Sequence, residues 1–182
     1  MKKIIAAMNM TIDGLFDHTH GVPDEEIHQH YADLLSNADC ALYGRTTFQL
    51  MEFWKTVLDN PTGEKTMDDF AVAIDKTPKI VFSRTLKNVD WASATLANKD
   101  LESVVVELKQ QSGNDVYVCS PSLITQLTSL NLIDEFQLCI HPVIAGSGLP
   151  LFKKIQEKLI LKLIKTKIFS GGAVILYYKN IK

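Results

Sequence analysis

Apolar positions along the chain fall into short continuous runs that alternate with stretches of helical period. Lys3–Met8 is an unbroken apolar run, as in a strand buried on both faces. Asp24–Ala38 changes period: Ile27, Tyr31, Leu34, Leu35 and Ala38 share one helical face, and Asp24, Glu25 and Glu26 crowd the start, where the macrodipole favours carboxylates. Ala38–Tyr43 predicts a second strand, running into Gly44-Arg45-Thr46-Thr47 and a helix carrying Phe48 and Met51. Leu58–Lys65 reads as an irregular loop, and Thr66–Ile74 as a helix with Met67, Phe70, Ala71 and Ile74 on one side. Lys79–Phe82 predicts a strand and Ala92–Ala97 a weaker one. Leu101, Val104, Val105 and Leu108 mark a helix that stops near Gly113-Asn114. Val116–Cys119 is strand-like, and Ser120-Pro121 then offers an N-cap followed by proline at the first helical position, with Leu123, Leu127 and Leu130 continuing the helix. Phe136–His141 is a strand ending at Pro142, and Leu159–Phe169 with Ala173–Lys179 reads as an antiparallel pair across Gly171-Gly172.

Strands alternating with helices predict an α/β fold: a central, mostly parallel sheet with helices on both faces, closed by a C-terminal antiparallel hairpin. At 182 residues, with no repeat or long linker, residues 1–182 are expected to form one domain. In such sheets ligands bind beyond the carboxyl ends of the strands.

Composition narrows the function. Apolar residues make up 46% and charged residues 22%, a globular balance. The net charge of −2 speaks against a nucleic-acid surface. Lys153, Lys154, Lys158, Lys162, Lys165 and Lys167 make the C-terminal region basic, which reads as a solvated face. Cys40, Cys119 and Cys139 form no C-x-x-C and each lies in an apolar run, as buried reduced thiols do; a cytoplasmic protein is expected. The apolar stretch before Asn9 is too short for a signal-peptide core or a membrane span and reads as the first strand.

Three junctions carry candidate chemistry. Gly44-Arg45-Thr46-Thr47 joins a glycine, a forked cation and hydroxyls at a helix N-terminus, which suits phosphate, although the four residues taken alone favour the plainer reading of a capped helix with a surface Arg. Ser83-Arg84-Thr85 repeats the theme after another strand. Ser120-Pro121-Ser122 is both a well-made cap and an anion site, because both use the same free amides. Neither G-x-G-x-x-G nor a P-loop is present. Asp13, in Thr11-Ile12-Asp13-Gly14, is the candidate for orienting substrate or moving a proton, although Asp-Gly also serves simply as a turn. Asp134-Glu135 reads as a solvated turn. His18 and His20 lie two apart beside Asp17, and His28 and His30 diverge on their helix; no H-E-x-x-H spacing supports a metal site, and none is expected.

In order and spacing these pieces resemble the reductase domain of the bifunctional riboflavin-pathway deaminase/reductase and, more broadly, stand-alone dihydrofolate-reductase-like proteins. Thr11-Ile12-Asp13-Gly14 is similar to the family's S-x-D-G, Gly44-Arg45-Thr46-Thr47-Phe48 to G-R-x-T-[YFW], and Ser83-Arg84-Thr85-Leu86 to S-R-T-L. Leu132-Ile133-Asp134-Glu135 through Pro142 and Gly146-Ser147-Gly148 to Leu151-Phe152 is similar to L-[IV]-D-E…P-V-x-x-G-x-G…L-F, the most specific block. The resemblance spans nearly the whole chain and implies a dihydrofolate-reductase-like three-layer sandwich, an NADPH cofactor and a homodimer. It implies that Gly44, Arg45, Thr46, Thr47, Ser83 and Arg84 hold the 2′-phosphate end and that Ser120, Pro121 and Ser122 sit at the pyrophosphate. Asn9, Asp13, Gly146, Ser147 and Gly148 would then face nicotinamide and substrate, with Trp54 as a wall of that cleft or a part of the core.

Many relatives carry Gly-Gly where this chain has Ser120-Pro121, and in dihydrofolate reductases that bond is cis; Ser120-Pro121 is expected to keep the same bend, since X-Pro takes cis at low cost. The deaminase ligand motifs H-x-E and P-C-x-x-C do not occur in these 182 residues, so no deaminase activity is expected of them, and the first-loop pattern of a true dihydrofolate reductase is missing, which argues against folate. The reading is hydride transfer from NADPH to a C=N or C=O group of a small pterin- or pyrimidine-like molecule. The alternatives are a nucleotide-binding module without turnover and a non-enzymatic interaction protein.

Overall fold

The computed structural model describes residues 1–152, 155 and 158–181; Lys153 and Lys154, part of the basic C-terminal run, lie outside them. The elements follow in the order β1 (Ile4–Thr11), α1 (Glu25–Ser36), β2 (Cys40–Gly44), α2 (Arg45–Met51), α3 (Phe53–Asp59), α4 (Lys65–Lys76), β3 (Lys79–Phe82) and β4 (Ala94–Leu96). They continue with α5 (Leu101–Gln110), β5 (Val116–Val118), α6 (Pro121–Ser129), β6 (Glu135–His141), β7 (Leu161–Ile168) and β8 (Val174–Asn180).

The strands form one sheet in the order β4-β3-β2-β5-β1-β6-β8-β7. Every pairing from β4 to β6 is parallel; β8 runs antiparallel to β6, and β7 antiparallel to β8. Strand alternation splits the core in two. Ile4 and Ala6 of β1 pack with Leu101, Val105 and Leu108 of α5 and with Leu123, Ile124 and Leu127 of α6. Ala7 faces the other way, with Ala32, Leu34 and Leu35 of α1 and Ala73 and Ile74 of α4. Helices on both faces explain why β1 and β2 read as unbroken apolar runs. β7 is an edge strand with almost all its side chains exposed, and two of its lysines lie over aromatic faces: Lys165 over Tyr177 and Lys167 over Phe169.

Three local expectations need correction. The stretch expected as a loop from Leu58 to Lys65 is shorter, because α3 runs to Asp59; the remaining turn is held by Asp68, whose carboxylate accepts from Thr62 N (2.8 Å) and Gly63 N (3.1 Å). Asp134 is no mere solvated turn. It accepts from the Ile4 amide at 2.9 Å and pairs with Lys109, so it fastens the start of β1 to the entry of β6. The Ser120–Pro121 peptide is trans, and the expected cis-like bend is absent. Ser120 is extended (φ −120°, ψ 127°), as a residue before proline prefers, and Pro121 opens α6 where no N–H is needed.

Candidate functional site

The parallel strands β2, β3 and β5 are neighbours, so their carboxyl ends deliver Gly44, Ser83 and Ser120 to one edge of the sheet. Ser120 is fully buried and stands at the N-cap of α6, but its hydroxyl does not cap that helix. It accepts instead from the Gly44 amide at 2.8 Å, tying the β2–α2 turn to the β5–α6 turn. The first amides of α6 therefore keep no side-chain acceptor and, with the helix dipole, remain available to an anion. Gly44 has ordinary extended backbone (φ −81°, ψ 162°); glycine serves there for proximity, since a Cβ would stand 3.2 Å from Ser122 Oγ.

Arg45 is exposed at the start of α2, and its Nη1 donates to Thr85 Oγ1 at 2.8 Å across to the β3 loop. That loop is stiffened from within, because Ser83 Oγ accepts from the amides of Thr85 (3.1 Å) and Leu86 (3.0 Å). Gly44, Arg45, Thr46, Thr47, Ser83, Arg84, Thr85 and Ser122 thus line one open cleft of about 340 Å³. Each of the three junctions singled out in the sequence contributes to it, the third through Ser122 and not through the fully buried Ser120. A groove of about 390 Å³ between α1 and α4, beside Ala38 and Pro78, lies at the opposite edge, where β2 and β3 begin.

β1 and β6 end on the same edge as β5. Asp13 is exposed beyond β1, with its carboxylate clamped: Thr11 Oγ1 donates to Oδ1 at 2.6 Å, Ala145 N to Oδ1 at 3.2 Å and Gly146 N to Oδ2 at 2.7 Å. The Thr11 hydroxyl first, then the Gly146 amide, hold its pKa down from the ordinary 3.8 to about 2. At neutral pH it is a carboxylate, an acceptor and not an acid. Gly14, at φ +80°, completes the Asp-Gly turn. Gly146, Ser147 and Gly148 are exposed on the facing loop, which Asp13 anchors.

Asn9 is exposed near the end of β1, and its Oδ1 accepts from the Tyr31 hydroxyl at 2.8 Å. Trp54 lies outside the lining of the phosphate-like cleft. It packs edge-on to Phe70 (4.5 Å between ring centroids), Phe53 (5.5 Å) and His28 (6.1 Å), in an aromatic wall where α3 meets α1 and α4. Thr85 belongs to the second junction read from the sequence and gains a partner in Arg45, whereas Tyr31 is new to the set. Thr85 stood beside Arg84 and was legible; the Tyr31 hydroxyl gave no local signal beyond its place on a core-facing helical stripe. Among the described residues no three His, Cys, Asp or Glu side chains gather as metal ligands. Cys40 and Cys139 are buried and Cys119 partly so; all three are free thiols, and burial pushes them up to about 11, 12 and 12 in the order 40, 119, 139.

Comparison with known proteins agrees with this architecture. The chain is 34% identical to the uncharacterized protein YyaP of Bacillus subtilis (strain 168), over 98% of this chain and 96% of YyaP. Its fold is similar to that of a protein of Shewanella sp. PV-4 named for riboflavin biosynthesis (TM-score 0.74, 19% identity, 99% of each chain). It is similar also to dihydrofolate reductase from Enterococcus faecalis complexed with NADP(H) (TM-score 0.65, 12% identity, 99% of this chain and 97% of that one). The fold is therefore dihydrofolate-reductase-like, as the motifs implied. The RibD C-terminal domain family matches residues 2–177, and the chain belongs to that family.

Proposed function

We propose that the protein is an NADPH-dependent reductase that transfers a hydride to a C=N or C=O group of a small pterin- or pyrimidine-like heterocycle. Family membership supports reductase-type chemistry. The observation that carries the coenzyme is the gathering of Arg45, Arg84 and the uncapped N-terminus of α6 around one cleft. Two guanidinium groups and the two free amides of Ser122 and Leu123 fit a ligand with phosphates at both places.

Arg45, Thr46, Thr47, Ser83 and Arg84 would hold the adenosine 2′-phosphate. The turn Ser120-Pro121-Ser122 and the bare Gly44 backbone would receive the pyrophosphate. When bound, NADPH supplies the hydride. The chain supplies position and field. Asn9 and the Gly146–Gly148 loop would face the reacting end, and Trp54 would back it from the α3 side. Asp13 holds that loop in place, and solvent at the open cleft provides the proton.

The test is NADPH binding by fluorescence titration, followed by NADPH oxidation across pterins, flavin precursors and quinones. Binding with turnover of a heterocycle is the expected result. Binding without any turnover favours a non-catalytic module, and absence of binding overturns the reading.

A further inference from the structure

On the face of the sheet that packs against α5 and α6, Phe136 and Leu138 of β6 are buried. Beyond β6 the same face is carried on by β8 and β7, and it opens. Val174, Leu176 and Tyr178 are half-buried, and Leu163 and Ile168 are 48% and 75% exposed. Register fixes who shares this face: Phe136 pairs with Tyr178 and Tyr178 with Leu163, Leu138 with Leu176 and Leu176 with Thr166, Ile140 with Val174 and Val174 with Ile168. Across β6, β8 and β7 it carries no charged residue. The lysines of the hairpin leave the opposite face: Lys162 pairs with Lys179, Lys165 with Tyr177 and Lys167 with Ile175. There Lys165 and Lys167 lie over the rings of Tyr177 and Phe169, at 4.3 and 4.7 Å. A register shift between Leu163 and Lys165 makes this sorting. Strict alternation from Leu163 would put Lys165 and Lys167 on the apolar face and Ile168 among the lysines. The extra residue, Ile164, restores the separation. It also interrupts the free edge of β7, where a regular strand would invite edge-to-edge pairing.

We infer that the lysine-free face of the β8–β7 hairpin docks a second copy of the chain, sheet on sheet about a two-fold axis. Charge and shape choose the occupant. A two-fold contact sets a patch against itself, so the patch must be complementary to itself. A strand face bearing lysines would repel its own copy, whereas this neutral apolar one does not. An acidic partner would be drawn instead to the lysine face. Two sheets with the same hand of twist also stack face to face, at about 30° between strand directions. The interrupted edge of β7 leaves the face, and not the hydrogen-bond ladder, as the contact. The inference is independent of the reductase reading, since no residue lining the cleft takes part.

The experiment is sedimentation velocity of the full chain from about 0.1 to about 100 µM, which covers the weak end of affinity for an interface of ordinary size. Wild type is expected to sediment as a dimer at the top of that range. Ile168→Lys and Leu163→Lys each carry an ammonium into the apolar contact and are expected to weaken the dimer about a hundredfold or more. Both residues are exposed in the single chain, so either variant can fold, and circular dichroism checks that it has. Lys167→Glu, on the opposite face, is expected to leave the dimer intact. A wild type that stays monomeric throughout overturns the inference, and so does a dimer that survives both lysine substitutions. Equal weakening by Lys167→Glu moves the contact off the lysine-free face and overturns it as well.

Discussion

The Gly44 amide and the Ser120 hydroxyl, 76 positions apart, meet at 2.8 Å in the interior, joining the β2–α2 and β5–α6 turns. One hydrogen bond holds two strand–helix turns in register, and it does so by taking the hydroxyl away from its own helix. The cap that α6 gives up is what leaves its N-terminal amides free. Ser120→Ala therefore acts twice. It leaves the buried Gly44 N–H without its acceptor, at about 1–3 kcal/mol. For a chain of this size, a loss of about 2 kcal/mol lowers Tm by roughly 4–8 °C. The two turns also lose their mutual register, so NADPH affinity should fall as well. Calorimetry and titration of the same variant check both.

Arg45 reaches the β3 loop through Thr85 and stands beside Arg84 in the same cleft. Arg45→Ala is expected to weaken NADPH about ten- to a hundredfold, the worth of a charge-assisted contact to phosphate. NADH, which lacks the 2′-phosphate, should be affected far less. Titration with both dinucleotides decides; equal loss would remove Arg45 from the 2′-phosphate site.

Asp13 makes a pH prediction. Its pKa is depressed in the folded protein, from 3.8 to about 2, chiefly by the Thr11 hydroxyl and the Gly146 amide. The stabilisation it contributes is therefore complete above about pH 5 and is lost as pH falls through 3.8 toward 2. The difference in Tm between wild type and Asp13→Asn should be flat from neutrality to about pH 5 and shrink below it. A pH–rate profile with an essential acid near neutrality that vanishes in Asp13→Asn would contradict the clamp.

Lys79 provides a control far from the cleft. It is 1% exposed at the start of β3, the end opposite Ser83, and its Nζ donates to Thr77 O (2.8 Å) and Ser93 Oγ (2.7 Å) beneath the Trp91 ring at 4.1 Å. Lys79→Met strands those acceptors, at about 2 kcal/mol. Thermal unfolding should register the loss, while dinucleotide affinity stays unchanged.

Most of the fold was legible because both cores rest on local periodicity. The stripe Ile27, Tyr31, Leu34, Leu35 is a helix face, and the continuous runs of β1 and β2 are strands covered on both sides. Helix α3 was not legible: Phe53 and Trp54 sit together and face different neighbours, and Pro61 and Gly63 nearby suggested a longer loop than forms. The phosphate-like cleft was legible as three separate phrases. Their union depended on strand order, which brings β5 between β1 and β2 and which no local signal encodes. The same limit explains Ser120, read as a cap when its partner is a distant amide. It also explains the bonds that join the Asp13 carboxylate to the 145–146 turn, and Asp134, read as solvated when it holds the first strand.

The most direct measurement is a crystal structure with NADP⁺ bound. The account predicts the 2′-phosphate between Arg45 and Arg84 and the pyrophosphate on the amides that open α6, with the nicotinamide toward Asn9 and Gly146. A dinucleotide bound elsewhere on the molecule, or one whose 2′-phosphate touches neither arginine, would contradict it.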